Sequence, residues 1–241
     1  MMDKSKIEKY GDELYDALIN RKAVAPLTDR EADITIEDAY QIQQRMIQRR
    51  LDAGETIIGK KIGVTSKVVM DMLKVNQPDF GMMTSGMVFN EGESIDTSTM
   101  IAPRAEAEVA FVLKSDLMGP GVTAADVLRA TDFVVPCFEI VDSRIQDWKI
   151  KIQDTVADNA SCGVLVLGDR IVDPRKVDLA TCGMVLEKNG EIVGTGWGAA
   201  ALGQTCHAMA WQANTLGRLG IGLTAGDIVL SGAMGAMVPV V

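Results

Sequence analysis

The start of the chain places apolar side chains at the three- and four-residue steps of an amphipathic helix. One such stripe covers residues 7–18 and ends before Pro26. A second stripe begins after Thr35, which with Asp38 has the spacing of a capping box, and it runs to Gly54. This pattern predicts two helices at the N-terminus.

From residue 59 onward the pattern changes to short apolar runs separated by Gly, Pro and Asn, which is typical of strands and loops. The clearest predicted strands cover 105–113, 133–141, 163–167 and 227–231. Residues 184–193 predict a hairpin with Asn189-Gly190 as its turn, and 199–216 predict a late helix. The predicted class is α+β, with a helical part, residues 1–58, packed on a main domain, residues 59–241.

Composition narrows the class of protein. The 241 residues are 47% hydrophobic, which excludes a disordered chain, and 24 Lys and Arg stand against 33 Asp and Glu, a net charge of −9. This acidic balance argues against a nucleic-acid partner, which needs a basic patch. The charged N-terminus lacks the apolar stretch of a secretory signal, and polar residues interrupt the longest uncharged run, so we expect a cytoplasmic protein that spans no membrane.

Two glutamates stand out in an otherwise apolar predicted strand, AEAEVAFVL. Glu106 and Glu108 are two residues apart, so the period of a strand places both on one face, about 7 Å apart at Cα. Carboxylates buried together repel each other and need a cation, which favours a metal site; an exposed sheet face is the alternative. Glu139, in the apolar strand VVPCFEIVD, is the third candidate ligand.

Three carboxylates supply half of an octahedral site for a hard cation and leave positions for water and a chelating substrate. This donor set favours Mg²⁺ or Mn²⁺. Zinc is disfavoured because the four cysteines show no C-x-x-C spacing and only one histidine is present. That histidine, His207, stands in the apolar late helix, where we expect a structural role.

Three predicted loops carry polar groups that strand packing does not require. GKKIGVTS joins Lys60 and Lys61 to glycines that let the backbone approach a ligand, QPDFG contains Asp79, and DNASCG contains Ser161. Each has an ordinary alternative: surface lysines, a turn that starts at an aspartate, and an Asx-type loop. No histidine lies near Ser161 in the sequence, so a serine-hydrolase triad has no support.

Together these segments resemble the fumarylacetoacetate hydrolase superfamily, and within it the hydratases of bacterial aromatic meta-cleavage pathways. The resemblance extends from about residue 11 through GKKIGVTS, QPDFG, PRAEAEVAFVL, DLMGPGVT, CFEIVDSRIQDWKIKIQDTVADNASCG and GDIVLSGAMG. It implies a mixed β-roll with peripheral helices and a homo-oligomer. The implied reaction is metal-dependent hydration of 2-hydroxypenta-2,4-dienoate to 4-hydroxy-2-oxopentanoate, by tautomerisation and conjugate addition of water.

The resemblance also implies roles for the candidate residues. The three glutamates are expected to hold one Mg²⁺ or Mn²⁺. Lys61, rather than Lys60, falls on the lysine of the family's G-x-K-[IM]-G pattern and is expected to be an electrostatic partner of the substrate. Asp79 is expected to transfer protons, and Ser161 is expected to donate a hydrogen bond to the substrate.

The resemblance leaves other functions open. The sister decarboxylases, which act on 2-oxo-3-hexenedioate with the same metal triad, carry an apolar residue at the position of Asp79. Hydrolysis of an acylpyruvate is disfavoured because this chain lacks the catalytic His and Glu which that branch carries in its N-terminal helix. The remaining alternative is a non-catalytic structural partner in a complex with 4-oxalocrotonate decarboxylase.

The family pattern continues beyond the V-P-V stretch with a turn and a further strand, whereas this sequence ends at Val241. We therefore expect the C-terminal strands of the β-roll to be missing from the sequence, which would leave a sheet edge unpaired.

Overall fold

The computed structural model of the protein describes residues 2–240. Within that range the helices are α1 (Lys4–Asn20), α2 (Leu27–Arg30), α3 (Ile36–Asp52), α4 (Lys67–Leu73), α5 (Ala124–Ala130), α6 (Ile152–Ala157) and α7 (Thr205–Arg218). The strands are β1 (Ile57–Gly63), β2 (Asp79–Thr84), β3 (Val88–Asn90), β4 (Arg104–Leu113), β5 (Thr131–Val141), β6 (Cys162–Leu167), β7 (Gly183–Lys188), β8 (Glu191–Trp197), β9 (Ile228–Leu230) and β10 (Val238–Pro239).

The two predicted N-terminal helices are confirmed as α1 and α3, which pack against each other. Thr35 and Asp38 cap α3 reciprocally: the Asp38 N–H donates to Thr35 Oγ1 at 3.1 Å, and the Thr35 N–H donates to Asp38 Oδ2 at 3.2 Å. The apolar faces of α1 and α3 bury Leu14 and Ile42 in a cluster that also contains Val156 of α6. The helical part therefore packs on the rest of the chain through α6, and the boundary at residue 58 stays a prediction.

Eight strands form one mixed sheet in the order β2-β1-β9-β4-β5-β6-β3, with β10 paired to β4. The β1–β9 and β3–β6 pairs are parallel, and the long β4–β5 pair is antiparallel. The four clearest predicted strands are confirmed as β4, β5, β6 and β9. The helix α7 covers one face over a core that includes Phe111, Val134 and Met209.

The sheet curls until its β2 edge meets the turn before β6. Asn159 makes this contact with both backbone groups of Met82: its side-chain amide donates to the carbonyl, and its Oδ1 accepts from the N–H, each at 2.8 Å. Gly81 is needed here because a Cβ at this position would lie 2.6 Å from the Asn159 carbonyl oxygen. The curl brings β1, β2, β4, β5 and this turn around one interior.

The predicted hairpin is confirmed as β7–β8, with Asn189 and Gly190 at φ values of 54° and 84° in the turn. The prediction for the late helix is wrong at its start, since α7 begins at Thr205. Leu202 and Gly203 have left-handed φ values of 50° and 80°, which break the helical path just before it.

His207, for which a structural role is expected, has an exposed side chain on α7, and its role stays a prediction. All four cysteines are free thiols. A strand does form at the V-P-V stretch, where Val238 and Pro239 pair with β4 as β10, whereas Val241 lies outside the described residues. Between residues 2 and 240 no helix is both long and apolar enough to cross a bilayer.

Candidate active site

The three predicted metal ligands lie together inside the curled sheet. Glu106 and Glu108 share a face of β4 because they are two residues apart, and Glu139 of β5 lies directly opposite Glu106. One carboxylate oxygen from each residue lies within 4.8 Å of the other two. Glu108 and Glu139 are 3% and 1% exposed, so a solvated sheet face is excluded for both.

Burial and mutual repulsion make these carboxyl groups hard to ionise. Burial, followed by the charge of Glu139, raises the pKa of Glu106 to about 7 and the pKa of Glu108 well above its usual range. Glu108 accepts one hydrogen bond, from the Gly232 N–H at 2.8 Å, whereas neither buried oxygen of Glu139 accepts any. Such oxygen-only, donor-poor surroundings fit a hard divalent cation such as Mg²⁺ or Mn²⁺.

The adjacent lysines of β1 have different partners. Lys60 Nζ pairs with Asp227 Oδ2 at 2.6 Å, away from the glutamates. Lys61 Nζ lies 3.1 Å from Glu139 Oε1, an ion pair without hydrogen-bond geometry. Burial lowers the pKa of Lys61, but Glu139 and Asp79 outweigh burial and leave the pKa raised, so the ammonium stays charged. The structure thus brings Lys61, and not Lys60, to the glutamates.

Asp79 begins β2 beside Gly63 of β1. The carboxyl group is 1% exposed, and neither oxygen accepts a well-formed hydrogen bond. A Cβ on Gly63 would lie 2.4 Å from Asp79 Oδ1, so the close approach requires glycine. Burial raises the pKa of Asp79, nearby Lys61 partly offsets this, and the pKa settles at about 6. A carboxyl group with a pKa near neutrality is able to give and to take a proton.

Ser161 lies in a turn with an uncommon backbone conformation. Asn159, Ala160 and Ser161 have φ values of 53°, 52° and 53°, all in the left-handed region. Ser161 is 4% exposed, and its Oγ lies 3.3 Å from Thr155 Oγ1 of α6. Consecutive strained residues persist only where the surrounding structure fixes them, and such strain is concentrated at functional sites.

Arg144, which the sequence analysis did not single out, fixes this turn. Arg144 Nε pairs with Asp158 Oδ1 at 2.5 Å, and both side chains are 0% exposed. The guanidinium also donates to the carbonyl oxygens of Asp142 at 2.5 Å, Asp158 at 2.6 Å and Cys162 at 2.9 Å. One buried cation therefore binds the chain on both sides of Ser161. No local spacing rule links these residues, so sequence patterns alone could not find the pair.

One cavity of about 580 Å³ brings together five of the six predicted site residues, since its lining includes Lys61, Asp79, Glu106, Glu108 and Ser161. The sixth, Glu139, contacts Lys61 from behind this lining. Most of the remaining wall is apolar and includes Val64, Val68, Val69, Met72, Leu73, Ile150 and Met237. A lining that combines charged groups with apolar side chains suits a small organic acid.

The curled mixed sheet, the N-terminal helices and the buried three-glutamate cluster together define the fumarylacetoacetate hydrolase class. The family described as "Fumarylacetoacetate (FAA) hydrolase C-terminal" matches residues 60–239. The chain belongs to this family.

Known relatives place the chain within the family. A 2-hydroxypent-2,4-dienoate hydratase from Pseudomonas putida is 65% identical over 221 residues, which cover 91% of this chain and all (100%) of that protein. A 2-hydroxyhexa-2,4-dienoate hydratase from Comamonas testosteroni is 55% identical over 241 residues, covering 99% of this chain and 91% of that protein. The predicted resemblance to the hydratase branch is confirmed.

A solved structure gives the fold comparison. The 4-oxalocrotonate decarboxylase from Pseudomonas putida G7, complexed with magnesium and adipate, superposes with a TM-score of 0.97 at 34% identity. The superposition covers 100% of this chain and 92% of that chain. The predicted β-roll of the fumarylacetoacetate hydrolase type is confirmed.

Proposed function

We propose that the protein is a hydro-lyase that converts 2-hydroxypenta-2,4-dienoate to 4-hydroxy-2-oxopentanoate in the meta-cleavage catabolism of aromatic compounds. The observation that carries this proposal is the placement of Asp79, a buried carboxyl without a well-formed hydrogen bond, in one cavity with Lys61, Glu106 and Glu108. The 65% identity to a 2-hydroxypent-2,4-dienoate hydratase supports the substrate.

The glutamate cluster is proposed to be the metal centre. Glu106, Glu108 and Glu139 would hold one Mg²⁺ or Mn²⁺, and a decarboxylase of the same fold crystallised with magnesium supports Mg²⁺. A bound divalent cation supplies electrostatic stabilisation of negative charge on the 2-oxygen of the substrate. Lys61, whose ammonium lies 3.1 Å from Glu139 Oε1, adds a fixed positive charge on the same side of the cavity.

Asp79 is proposed to move protons, directly or through a water molecule. In the first step the 2-hydroxyl group loses its proton and C5 gains one, which gives an α,β-unsaturated 2-oxo acid. In the second step water adds its oxygen at C4 and C3 gains a proton, so the overall reaction consumes one water and breaks no carbon–carbon bond. A pKa of about 6 allows Asp79 to serve in both steps near neutral pH.

Ser161 is proposed to donate a hydrogen bond to the substrate. Its left-handed backbone, with φ at 53°, fixes the direction of the hydroxyl before substrate arrives. A donor fixed in this way orients the dienoate relative to Asp79 at little entropic cost.

The second candidate function is decarboxylation of 2-oxo-3-hexenedioate. The fold does not separate the two, because a 4-oxalocrotonate decarboxylase superposes with a TM-score of 0.97. Sequence identity favours the hydratase, at 65% against 34%. The resemblance supports it too, because it implies an apolar residue at the position of Asp79 in the sister decarboxylases.

We further propose that the protein forms a homo-oligomer in the cytoplasm and is able to associate with 4-oxalocrotonate decarboxylase. A purely non-catalytic role in such a complex is disfavoured because the glutamate cluster, Lys61 and Asp79 are all in place.

The test compares two substrates. Purified protein with Mg²⁺ is mixed with 2-hydroxypenta-2,4-dienoate while its absorbance is followed, and separately with 2-oxo-3-hexenedioate while CO₂ is measured. We expect Mg²⁺-dependent loss of the dienoate and no CO₂. Asp79→Asn is expected to lose turnover yet bind Mg²⁺ stoichiometrically, whereas Arg175→Met, an exposed control outside the cavity lining, keeps turnover. Release of CO₂ from 2-oxo-3-hexenedioate at a higher rate than loss of the dienoate would contradict the proposal, and so would full turnover by Asp79→Asn.

A further inference from the structure

One cation of the cavity has no role in the proposed reaction. Arg104 begins β4 and shares a face with Glu106 and Glu108, because the three residues alternate along the strand. All three line the same cavity, and burial increases from Arg104 to Glu108. Arg104 is thus a half-buried cation at the rim, about 7 Å at Cα from the nearest glutamate.

The guanidinium of Arg104 is held in place by stacking. Its Cζ lies 4.7 Å from the centre of the Trp148 ring, and one terminal nitrogen contacts Met237 Sδ at 3.9 Å. Trp148 is itself anchored, since its indole N–H donates to the Ala102 carbonyl at 3.1 Å. An arginine stacked on an aromatic face keeps its N–H edge available for a planar anion.

Arg104 has no acidic partner in the part of the chain that the structure describes. No ion pair among residues 2–240 includes it. The other cation of the cavity lining, Lys61, is already 3.1 Å from Glu139 Oε1. An organic anion entering a cavity lined by Asp79, Glu106 and Glu108 therefore meets one uncommitted side-chain cation, which is Arg104.

We propose that Arg104 binds the C1 carboxylate of the substrate; this assignment rests on the proposed function. Arg104 lies on the same face of β4 as Glu106 and Glu108, so a carboxylate beside Arg104 would also be close to a cation held by the glutamates. The fork of guanidinium N–H groups matches a carboxylate with two charge-assisted hydrogen bonds.

The apolar side chains of the cavity lining suit the part of the substrate that lies away from C1. Val68, Met72 and Leu73 suit the hydrocarbon end of a dienoate, and Lys61, the other cation of the lining, is already paired with Glu139. Arg104 therefore anchors monocarboxylic 2-hydroxydienoates at C1, and the cavity disfavours dicarboxylates.

The test measures binding and turnover separately. Arg104→Met is compared with wild type for kcat and KM on 2-hydroxypenta-2,4-dienoate, and for calorimetric binding of 2-oxopentanoate, an unreactive 2-oxo acid, to Mg²⁺-loaded protein. Loss of a charge-assisted hydrogen bond predicts that KM and Kd rise about 10- to 100-fold while kcat changes little. Arg104→Lys keeps the positive charge without the forked N–H groups, so its KM and Kd should lie between those of wild type and Arg104→Met. Arg175→Met, an exposed arginine paired with Asp173, is the matched control.

Unchanged KM and Kd in Arg104→Met would overturn the assignment, as would an effect on kcat alone. The assignment would also be overturned if Arg104→Met weakened inhibition by adipate, a dicarboxylate, but left KM and the Kd of 2-oxopentanoate unchanged. Arg104 would then bind the far carboxylate of a dicarboxylate. Unchanged Mg²⁺ affinity and an unchanged urea midpoint show that the variant's metal centre and fold are intact; if Arg104→Met does not fold, Arg104→Lys carries the same comparison. Arg104-dependent binding of 2-oxopentanoate without any turnover by wild type would sink the proposed function and leave this inference standing.

Discussion

Replacing Arg144 with methionine tests what holds the Ser161 turn in its left-handed conformation. The Arg144 side chain is fully buried and pairs with Asp158 at 2.5 Å. It also donates to three carbonyl oxygens at 2.5 to 2.9 Å. Methionine fills part of the same volume but leaves these acceptors without their donor.

The magnitude follows from the burial of the pair. Removing one partner of a buried ion pair costs about 3–5 kcal/mol, because the remaining charge is left unpaired in the interior. Burial raises the pKa of Asp158 to about 6 even beside Arg144, so without the arginine this carboxyl takes up a proton and limits the loss. We expect Arg144→Met to lower the free energy of unfolding by about 3 kcal/mol at pH 7, and by less at pH 5.

Urea unfolding without added metal, followed by the fluorescence of the three tryptophans, measures this loss. A double-mutant cycle with Asp158→Asn should give a coupling of about 2 kcal/mol, because neutralising both partners removes the unpaired charge. Arg175→Met is the control and should leave the midpoint unchanged, since its pair with Asp173 is exposed and screened. A loss below about 1 kcal/mol, or absence of coupling, would refute the reasoning.

Three further predictions concern the site itself. The pKa of Asp79 is raised from 3.8 to about 6 in the folded protein, so its ionisation favours unfolding as pH rises. In urea unfolding without metal, wild type should lose about 2 kcal/mol more stability than Asp79→Asn between pH 4 and pH 7, and equal losses would contradict this pKa. Lys61→Met should lower kcat by about 100-fold or more, because it removes a buried positive charge from the cavity. Lys60→Met should leave kcat largely intact and lower the urea midpoint, and equal effects of the two variants on kcat would contradict the choice of Lys61 as the site lysine. Mg²⁺ binding should release protons and weaken below pH 7, where Glu106, with its pKa of about 7, becomes protonated. Calorimetry in two buffers of different ionisation enthalpy measures the number of protons released, and a Mg²⁺ affinity that does not change with pH would argue against the three glutamates as ligands.

Strand alternation made part of the site predictable. Glu106 and Glu108 share a face because side chains alternate along any strand, a purely local property. The same alternation separates Lys60 from Lys61, and the family pattern identified which of the two belongs to the site. The position of Glu139 opposite Glu106 depends on the register of β4 with β5, which no local pattern fixes.

Long-range polar partners were beyond the sequence. Arg144 looks like a surface charge in the primary structure, and its partner Asp158 lies fourteen residues away across α6. The role proposed for Arg104 could not be predicted from the sequence either, because it depends on the cavity and on stacking with the Trp148 ring. The early start assigned to the late helix has a similar cause: small apolar residues continue the pattern, but the backbone turns left-handed at Leu202.

Product analysis in D₂O tests the central claim most directly. Mg²⁺-loaded protein is mixed with 2-hydroxypenta-2,4-dienoate, and the product is examined by proton NMR. Tautomerisation followed by conjugate addition predicts 4-hydroxy-2-oxopentanoate with one deuterium in the C5 methyl group and a hydroxyl group at C4. A ketone without the C4 hydroxyl group, a C5 methyl group without deuterium, or unchanged substrate would contradict the account.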